Sequence, residues 1–257
     1  YEDKIYIICV DSAMHILKEN NIKADMTVTV DALKNKNYLS KDLEESILFC
    51  YITSNSDMIN NHNGDKIIID SIAYKFHYKE YLSKKGYVLP KFETGGSVSC
   101  TALSIAIDLG FKDILLFGLD LAYSNDLRMY SNSSINKKYK INKISYIKGN
   151  YEDKVPSDEL FIKYLNWYKY MLNKYKDVNY YNITTSGAYI ENTKVLDYIP
   201  EDILSNNKLP ISLYDKFIQS FNSDTYIKYI ITELKNISEM YTTYKDGLKV
   251  VLSEGNK

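Results

Sequence analysis

Short apolar runs alternate with stretches of helically spaced apolar residues along roughly the first two hundred positions of the chain. The runs at 5–10, 26–30, 47–52, 66–70, 114–117 and 178–183 are typical of strands. Helical spacing appears between them, first at Ala13, Ile16 and Leu17 and most clearly after Ser97. Strands that alternate with helices predict an α/β fold, with a mainly parallel sheet covered by helices on both faces.

Residues 93–123 carry a glycine turn, a helix and a buried strand in succession. Thr94, Gly95, Gly96 and Ser97 open the helix, with Ser97 as the predicted N-cap, and Gly110 closes it. Two glycines let a ligand approach bare backbone N–H groups, and free amides at a helix start favour an anion. An ordinary structural αβ unit accounts for the same pattern, and the segment alone leaves both interpretations open.

Polar residues follow the strand-like runs, and in an open α/β sheet ligands bind beyond the carboxyl ends of strands. The residues expected near one pocket are Asp11, Ser12, Asp31, Thr94, Gly95, Gly96, Ser97, Asp120, Tyr123, Ser186 and Gly187. Backbone amides and hydroxyls suit a phosphate, and carboxylates suit ribose or sugar hydroxyls. The set therefore favours a nucleotide or nucleotide-sugar over an apolar ligand.

The remaining segments predict a more varied organisation. Residues 124–156 are rich in Ser, Asn, Lys and Tyr, which indicates either a lid over the pocket or a mobile insertion. The sequence Ser157-Asp-Glu-Leu160 begins a helix whose apolar face runs from Phe161 to Tyr175. A heptad seam at 227–248 predicts a helix that docks on the α/β domain or pairs with another copy or with a helix of a partner. We therefore divide the chain into an α/β domain at 1–200 and a helical segment at 201–257.

Composition excludes several classes of function. The net charge is −1, so no nucleic-acid or membrane partner is expected, and no apolar run approaches the length that spans a bilayer. The three cysteines, Cys9, Cys50 and Cys100, lie in apolar runs and predict buried free thiols in a cytoplasmic protein. The three histidines are scattered without ligand spacing, so no metal site is predicted. Walker, Gly-x-Gly-x-x-Gly and Gly-x-Ser-x-Gly motifs are also absent from the sequence.

Several motifs resemble the motility accessory factor (Maf) glycosyltransferases, a family that shares a domain with an archaeal 6-hydroxymethylpterin pyrophosphokinase. They are Val10-Asp-Ser-Ala13, the 22–31 stretch ending in Thr-Val-Thr-Val-Asp31, Thr94-Gly-Gly-Ser-Val98, Gly118-Leu-Asp-Leu-Ala-Tyr123 and Tyr181-Asn-Ile-Thr-Thr-Ser-Gly-Ala-Tyr-Ile190. They occur in order over roughly the first two hundred residues, which makes chance similarity a poor explanation. The layout is also similar to bacterial sialyltransferases, which implies a Rossmann-like domain.

The resemblance implies transfer of a nonulosonic acid, of pseudaminic or legionaminic type, from a CMP donor to Ser or Thr of flagellin. By analogy, Asp11, Ser12 and Asp31 face the nucleotide, while Thr94, Gly95, Gly96, Ser97, Ser186 and Gly187 line the donor site. Asp120 lies beside the ribose or sugar, and Tyr123 with Tyr130 steadies the departing phosphate. No metal or other cofactor is required besides the CMP-sugar donor.

The sequence departs from the family pattern at two points. The family opens this domain with a strand and a Gly-x-Gly-Pro-Ser-Leu turn, which this sequence lacks and which we attribute to truncation. The histidine that usually follows the Asp-Leu-Ala-Tyr motif is also missing. Asp158 or Glu159 is then either a catalytic base or a stabiliser of the first helical turn. Two alternative functions stay open, a Mg-ATP-dependent pyrophosphokinase and a non-catalytic flagellin-binding module.

Overall fold

The computed structural model describes residues 4–32, 46–72, 89–124 and 143–204. The strands are β1 (Ile8–Val10), β2 (Met26–Thr29), β3 (Ile47–Tyr51), β4 (Lys66–Ser71), β5 (Lys91–Phe92), β6 (Asp113–Phe117), β7 (Ser145–Ile147), β8 (Val155–Ser157), β9 (Asn179–Ile183) and β10 (Lys194–Leu196). The helices are α1 (Met14–Glu19), α2 (Ser56–Asn61), α3 (Val98–Asp108) and α4 (Glu159–Lys174), with 3-10 turns at Asp11–Ala13 and Glu201–Ile203.

Parallel strands dominate the described part. Five of them form one sheet in the order β1-β2-β3-β4-β5, and a second parallel sheet has the order β10-β9-β6. The register pairs Ile8 with Met26 in the first sheet and Ile114 with Tyr180 in the second. The strands β7 and β8 form a separate antiparallel hairpin. The predicted Rossmann-like α/β architecture is therefore confirmed.

Helix α3 joins the cores of the two parallel sheets. Its Ile105 and Leu109 pack with β2, β3 and β4 in one apolar cluster, whereas Cys100 and Leu103 pack with β6, β9 and α4 in another. Across the first sheet, Met14 of α1 packs against Cys9, which points away from the α3 face because side chains alternate along a strand. Helices thus cover both faces, as predicted, and α3 sets the position of one sheet relative to the other.

Most predicted elements are present, but their bounds differ. The strand predicted at 5–10 is confined to Ile8–Val10, and α2, β5 and β10 were not anticipated. All three cysteines are buried and free, as predicted, and burial raises the pKa of the Cys100 thiol to about 11. Of the described helices, none has the length and apolarity needed to cross a membrane. The helical segment predicted for 201–257 lies outside the described residues beyond Leu204.

His62 provides a pH-sensitive contact at the end of α2. Its ring is 5% exposed, and Nε2 lies 2.8 Å from the carbonyl oxygen of Ser46. Burial lowers the pKa of His62, and the bond to Ser46 offsets only part of that effect. The folded state therefore binds this proton less readily than the unfolded chain does. The contribution of the neutral, buried His62 ring to the free energy of unfolding is fully present above the unfolded pKa of about 6.5. It is lost as the pH falls below that value.

We expect the free energy of unfolding to decrease between about pH 6.5 and pH 5 more steeply in the wild type than in His62→Gln. Glutamine keeps an N–H donor for Ser46 but does not titrate in this range. Urea unfolding at a series of pH values measures the difference. Parallel curves for the two proteins would show that His62 does not contribute.

Candidate functional site

The glycine turn, residues 94–97, leads directly into α3. Ser97 is the N-cap, as predicted, and its Oγ accepts a hydrogen bond from the Ser99 amide at 3.2 Å. Gly96 has φ +93°, a left-handed conformation that favours glycine. Its amide donates to Thr94 Oγ1 at 3.3 Å. The turn is thus an ordered structure at the positive end of a helix that is three turns long.

Gly95 is required by packing against α4. A Cβ atom at this position would lie 2.5 Å from Trp167 Cγ and 2.7 Å from Cys100 Sγ. The Tyr164 hydroxyl of the same helix donates to the carbonyl oxygen of Gly96 at 3.2 Å. The absent side chain of Gly95 therefore makes room for an indole ring, a role that the sequence interpretation of ligand access had not included.

The aspartate loop, residues 118–123, follows β6. Gly118 has φ +64° and Leu121 has φ +47°, which is uncommon for a residue with a branched side chain. Asp120 is half-buried, and burial raises the pKa of its carboxyl group while a bond from Thr184 acts in the opposite direction. The loop therefore presents a carboxylate that holds a proton more readily than an exposed aspartate does.

The serine turn, residues 184–187, packs directly on this loop. The Thr184 hydroxyl oxygen lies 3.3 Å from Asp120 Oδ1 and 2.8 Å from the Ser186 carbonyl oxygen, so its one proton is shared between two acceptors. Gly187 has φ +89°, and a Cβ atom there would lie 2.8 Å from both the Cα and the carbonyl oxygen of Asp120. The Ala188 amide donates to that same carbonyl at 2.7 Å. The structure thus brings Asp120, Ser186 and Gly187 together, and their role in ligand binding stays a prediction.

Part of the segment predicted as a lid or a mobile insertion is a hairpin that is fixed to the serine turn. The Asn150 backbone amide donates to the Gly187 carbonyl, and its side-chain Nδ2 donates to the Ser186 carbonyl, each at 2.9 Å. Asn150 Oδ1 is buried and has no hydrogen-bond partner among the described residues. The described residues 143–156 therefore pack beside the site, whereas 125–142, including the predicted phosphate ligand Tyr130, lie outside the described residues.

Tyr123 is anchored to the start of α4. Its side chain is buried, its hydroxyl donates to Asp158 Oδ2 at 2.6 Å, and its ring packs on Phe161 with centroids 5.1 Å apart. Asp158 Oδ1 accepts from the Phe161 amide at 2.8 Å, which makes Asp158 the N-cap of α4. Of the two interpretations of Asp158, the stabiliser of the first turn is confirmed, one residue after the predicted start. The phosphate contact of Tyr123 stays a prediction.

Asp11, Ser12 and Asp31 lie at the carboxyl ends of β1 and β2, whereas the Asp120 group lies at those of β6 and β9. Asp11 is 0% exposed and accepts a hydrogen bond from Thr29 Oγ1 at 2.9 Å, while Ser12 is half-buried and Asp31 is exposed. Within the described ranges, no group of three or more His, Cys, Asp or Glu residues is placed to hold a metal ion.

Sequence reasoning missed several residues of this site. Thr184 had a usable signal, because it is the first polar residue after the strand at 178–183. The sequence carried no such signal for Asn150, Tyr164 or Trp167, because each of them contacts a segment that is distant in the sequence.

Comparison with known proteins found a family model and a solved structure that are similar to this chain. Residues 1–126 match the model of a family described as 6-hydroxymethylpterin diphosphokinase MptE-like. The structure is similar to that of a Maf glycosyltransferase from Magnetospirillum magneticum AMB-1, with a TM-score of 0.59 and 17% sequence identity. This match covers 85% of the present chain and 33% of the other, so the chain spans about a third of that protein. A search of curated protein sequences found no match.

Proposed function

We propose that this Maf-like chain, which carries an MptE-like domain at residues 1–126, acts as a glycosyltransferase. In this proposal it moves a nonulosonic acid, of pseudaminic or legionaminic type, from CMP to Ser or Thr of flagellin in the cytoplasm. The fold match to the Maf glycosyltransferase is the observation that carries it. That match covers 85% of the chain and therefore extends well past residue 126, where the diphosphokinase-like family model ends.

The site offers the groups that such a reaction needs. The positive end of α3 at the glycine turn suits a donor phosphate. Asp120 suits sugar or ribose hydroxyls, and its raised pKa makes it a better proton acceptor than an exposed aspartate. The acceptor oxygen bonds to the anomeric carbon, the bond from that carbon to the CMP phosphate oxygen breaks, and CMP leaves with the electron pair. The hydroxyl proton passes to the base, a role that we assign to Asp120.

The family description of residues 1–126 favours one alternative, pyrophosphate transfer from Mg-ATP to a pterin. AMP formation that depends on a hydroxymethylpterin would support it. A third possibility is a non-catalytic module that binds flagellin. Stable binding of flagellin without nucleotide binding or sugar transfer would identify that module.

Asp120→Asn is expected to reduce sugar transfer by about 100-fold or more, because the amide cannot accept the proton. The variant keeps the shape and an acceptor for Thr184, so the melting temperature should change little. Asp113→Asn is the matched control, since Asp113 is exposed at the opposite end of the same strand. Wild-type protein should also gain thermal stability with millimolar CMP. Absence of any CMP effect, or equal activity of Asp120→Asn and wild type, would contradict the proposal.

A further inference from the structure

One continuous segment contacts both the aspartate loop and the glycine turn. The bridging segment, residues 156–167, begins beside the aspartate loop. There the Pro156 carbonyl accepts from the Tyr123 amide at 2.7 Å, and Ser157 Oγ donates to the Leu121 carbonyl at 3.0 Å. Asp158 adds the 2.6 Å bond from the Tyr123 hydroxyl. Three hydrogen bonds therefore hold the loop at the start of α4.

The other end of the bridging segment holds the glycine turn. The Tyr164 hydroxyl binds the Gly96 carbonyl, and the Trp167 indole occupies the space beside Gly95. Further along the same helix, Lys174 forms an ion pair with Glu93, the residue that precedes the turn. Contacts from α4 thus follow the chain from Glu93 to Gly96.

The bridging segment is suited to transmit a displacement. From Glu159 to Trp167 it is α-helical and contains neither proline nor glycine, the usual causes of a kink. At its first end it holds Leu121, whose φ of +47° is sustained only when the surroundings favour it. A shift of α4 at the glycine turn therefore moves the residues that keep the aspartate loop in this conformation.

We propose that Tyr164 is a positioning residue that couples the glycine turn to the aspartate loop through α4. The coupling itself is a property of the fold. Its consequence for the donor rests on the proposed function, in which the turn takes the phosphate and Asp120 takes the sugar or ribose. The phosphate and the sugar or ribose of one donor would then bind at the glycine turn and at Asp120, and α4 would fix the spacing between these two places.

Hydrogen exchange of two backbone amides tests the coupling without any ligand. The Tyr123 amide, bonded to Pro156, reports on the aspartate loop, and the Gly96 amide, bonded to Thr94, reports on the glycine turn. Tyr164→Phe removes one hydroxyl and should accelerate exchange at Tyr123 by about fivefold, the effect of one typical hydrogen bond. Ser157→Ala should reciprocally accelerate exchange at Gly96.

Tyr170→Phe is the matched control, because it makes the same chemical change on an exposed ring of the same helix. It should leave both amides at their wild-type rates. Exchange that rises only beside each substitution would overturn the proposal, and so would equal effects of Tyr170→Phe and Tyr164→Phe. If Ser157→Ala does not fold, the Tyr164→Phe result decides alone.

A second measurement connects the coupling to the ligand. Tyr164 and Ser157 are about 10 Å apart along the chain, a distance at which independent substitutions usually have additive effects. Each single variant should weaken CMP binding about fivefold, and the double variant should weaken it little further. Additive losses would overturn the link to the donor. Wild-type protein that binds no CMP would instead contradict the proposed function, while the exchange experiment would still decide the coupling.

Discussion

Gly187→Ala is expected to destabilise the protein by about 3 kcal/mol or more and to abolish the proposed binding of CMP. Two costs combine in this substitution. At φ +89° an alanine has backbone strain, and its Cβ would lie 2.8 Å from the backbone of Asp120. The backbone of the aspartate loop or the serine turn must therefore move, because no flexible side chain is available to give way.

Gly118→Ala separates these two costs. Gly118 also has a positive φ, +64°, but no atom of the described part of the chain lies within 4 Å of the Cβ that alanine would add. We expect it to lose only about 1 kcal/mol, the strain contribution alone. Urea unfolding of both variants measures the difference, and thermal shift with CMP measures binding. Equal losses for the two glycines would mean that the contact between Gly187 and Asp120 is not rigid.

Gly95→Ala is expected to cost about 2 kcal/mol of stability, and Trp167→Ala should relieve that cost. The added methyl would lie 2.5 Å from Trp167 Cγ and 2.7 Å from Cys100 Sγ. Trp167→Ala alone should cost about 3 kcal/mol through lost packing. In the double variant the clash with the indole is gone and only the contact with Cys100 Sγ remains, so Gly95→Ala should cost less in the Trp167→Ala background than in the wild type.

Trp167→Phe provides the control, since phenylalanine keeps a Cγ atom where the clash occurs. Gly95→Ala should therefore remain costly in the Trp167→Phe background. Chemical unfolding of all five variants gives both double-mutant cycles. An undiminished cost of Gly95→Ala in both backgrounds would show that Cys100, and not the indole, sets the requirement for glycine.

Much of the fold could be predicted from local patterns. The start of α3 at Ser97, the strand at Asp113–Phe117 and the burial of all three cysteines depend on residues that are close in the sequence. The hairpin of β7 and β8 lies almost entirely in the segment 124–156, for which the sequence predicted only a lid or a mobile insertion. Its position is fixed by hydrogen bonds from Asn150 to the distant serine turn, which no local pattern reveals.

The sequence predicted which residues form the candidate site better than it predicted how those residues are arranged. Asp120, Ser186 and Gly187 were predicted to lie near one pocket. In the structure Gly187 contacts Asp120 directly, and Thr184 lies within hydrogen-bond distance of both Asp120 and Ser186. The roles of Gly95 and Asp158 were harder to predict from the sequence. A glycine before a helix suggests an open approach for a ligand, yet Gly95 faces an indole ring. Asp158 is equally compatible with catalysis and capping until both of its oxygens are located.

The sequence by itself determined the alternation of strands and helices, the N-cap of α3 and the polar ends of the strands. Each of these follows from interactions between near neighbours, which periodicity and residue type record directly. Only the tertiary structure decided that α4 supports the glycine turn and that Thr184 meets Asp120. These partners are 68 and 64 residues apart. The first contact depends on the packing of α4 against the start of α3, and the second on the parallel pairing of β6 with β9. No local preference encodes either arrangement.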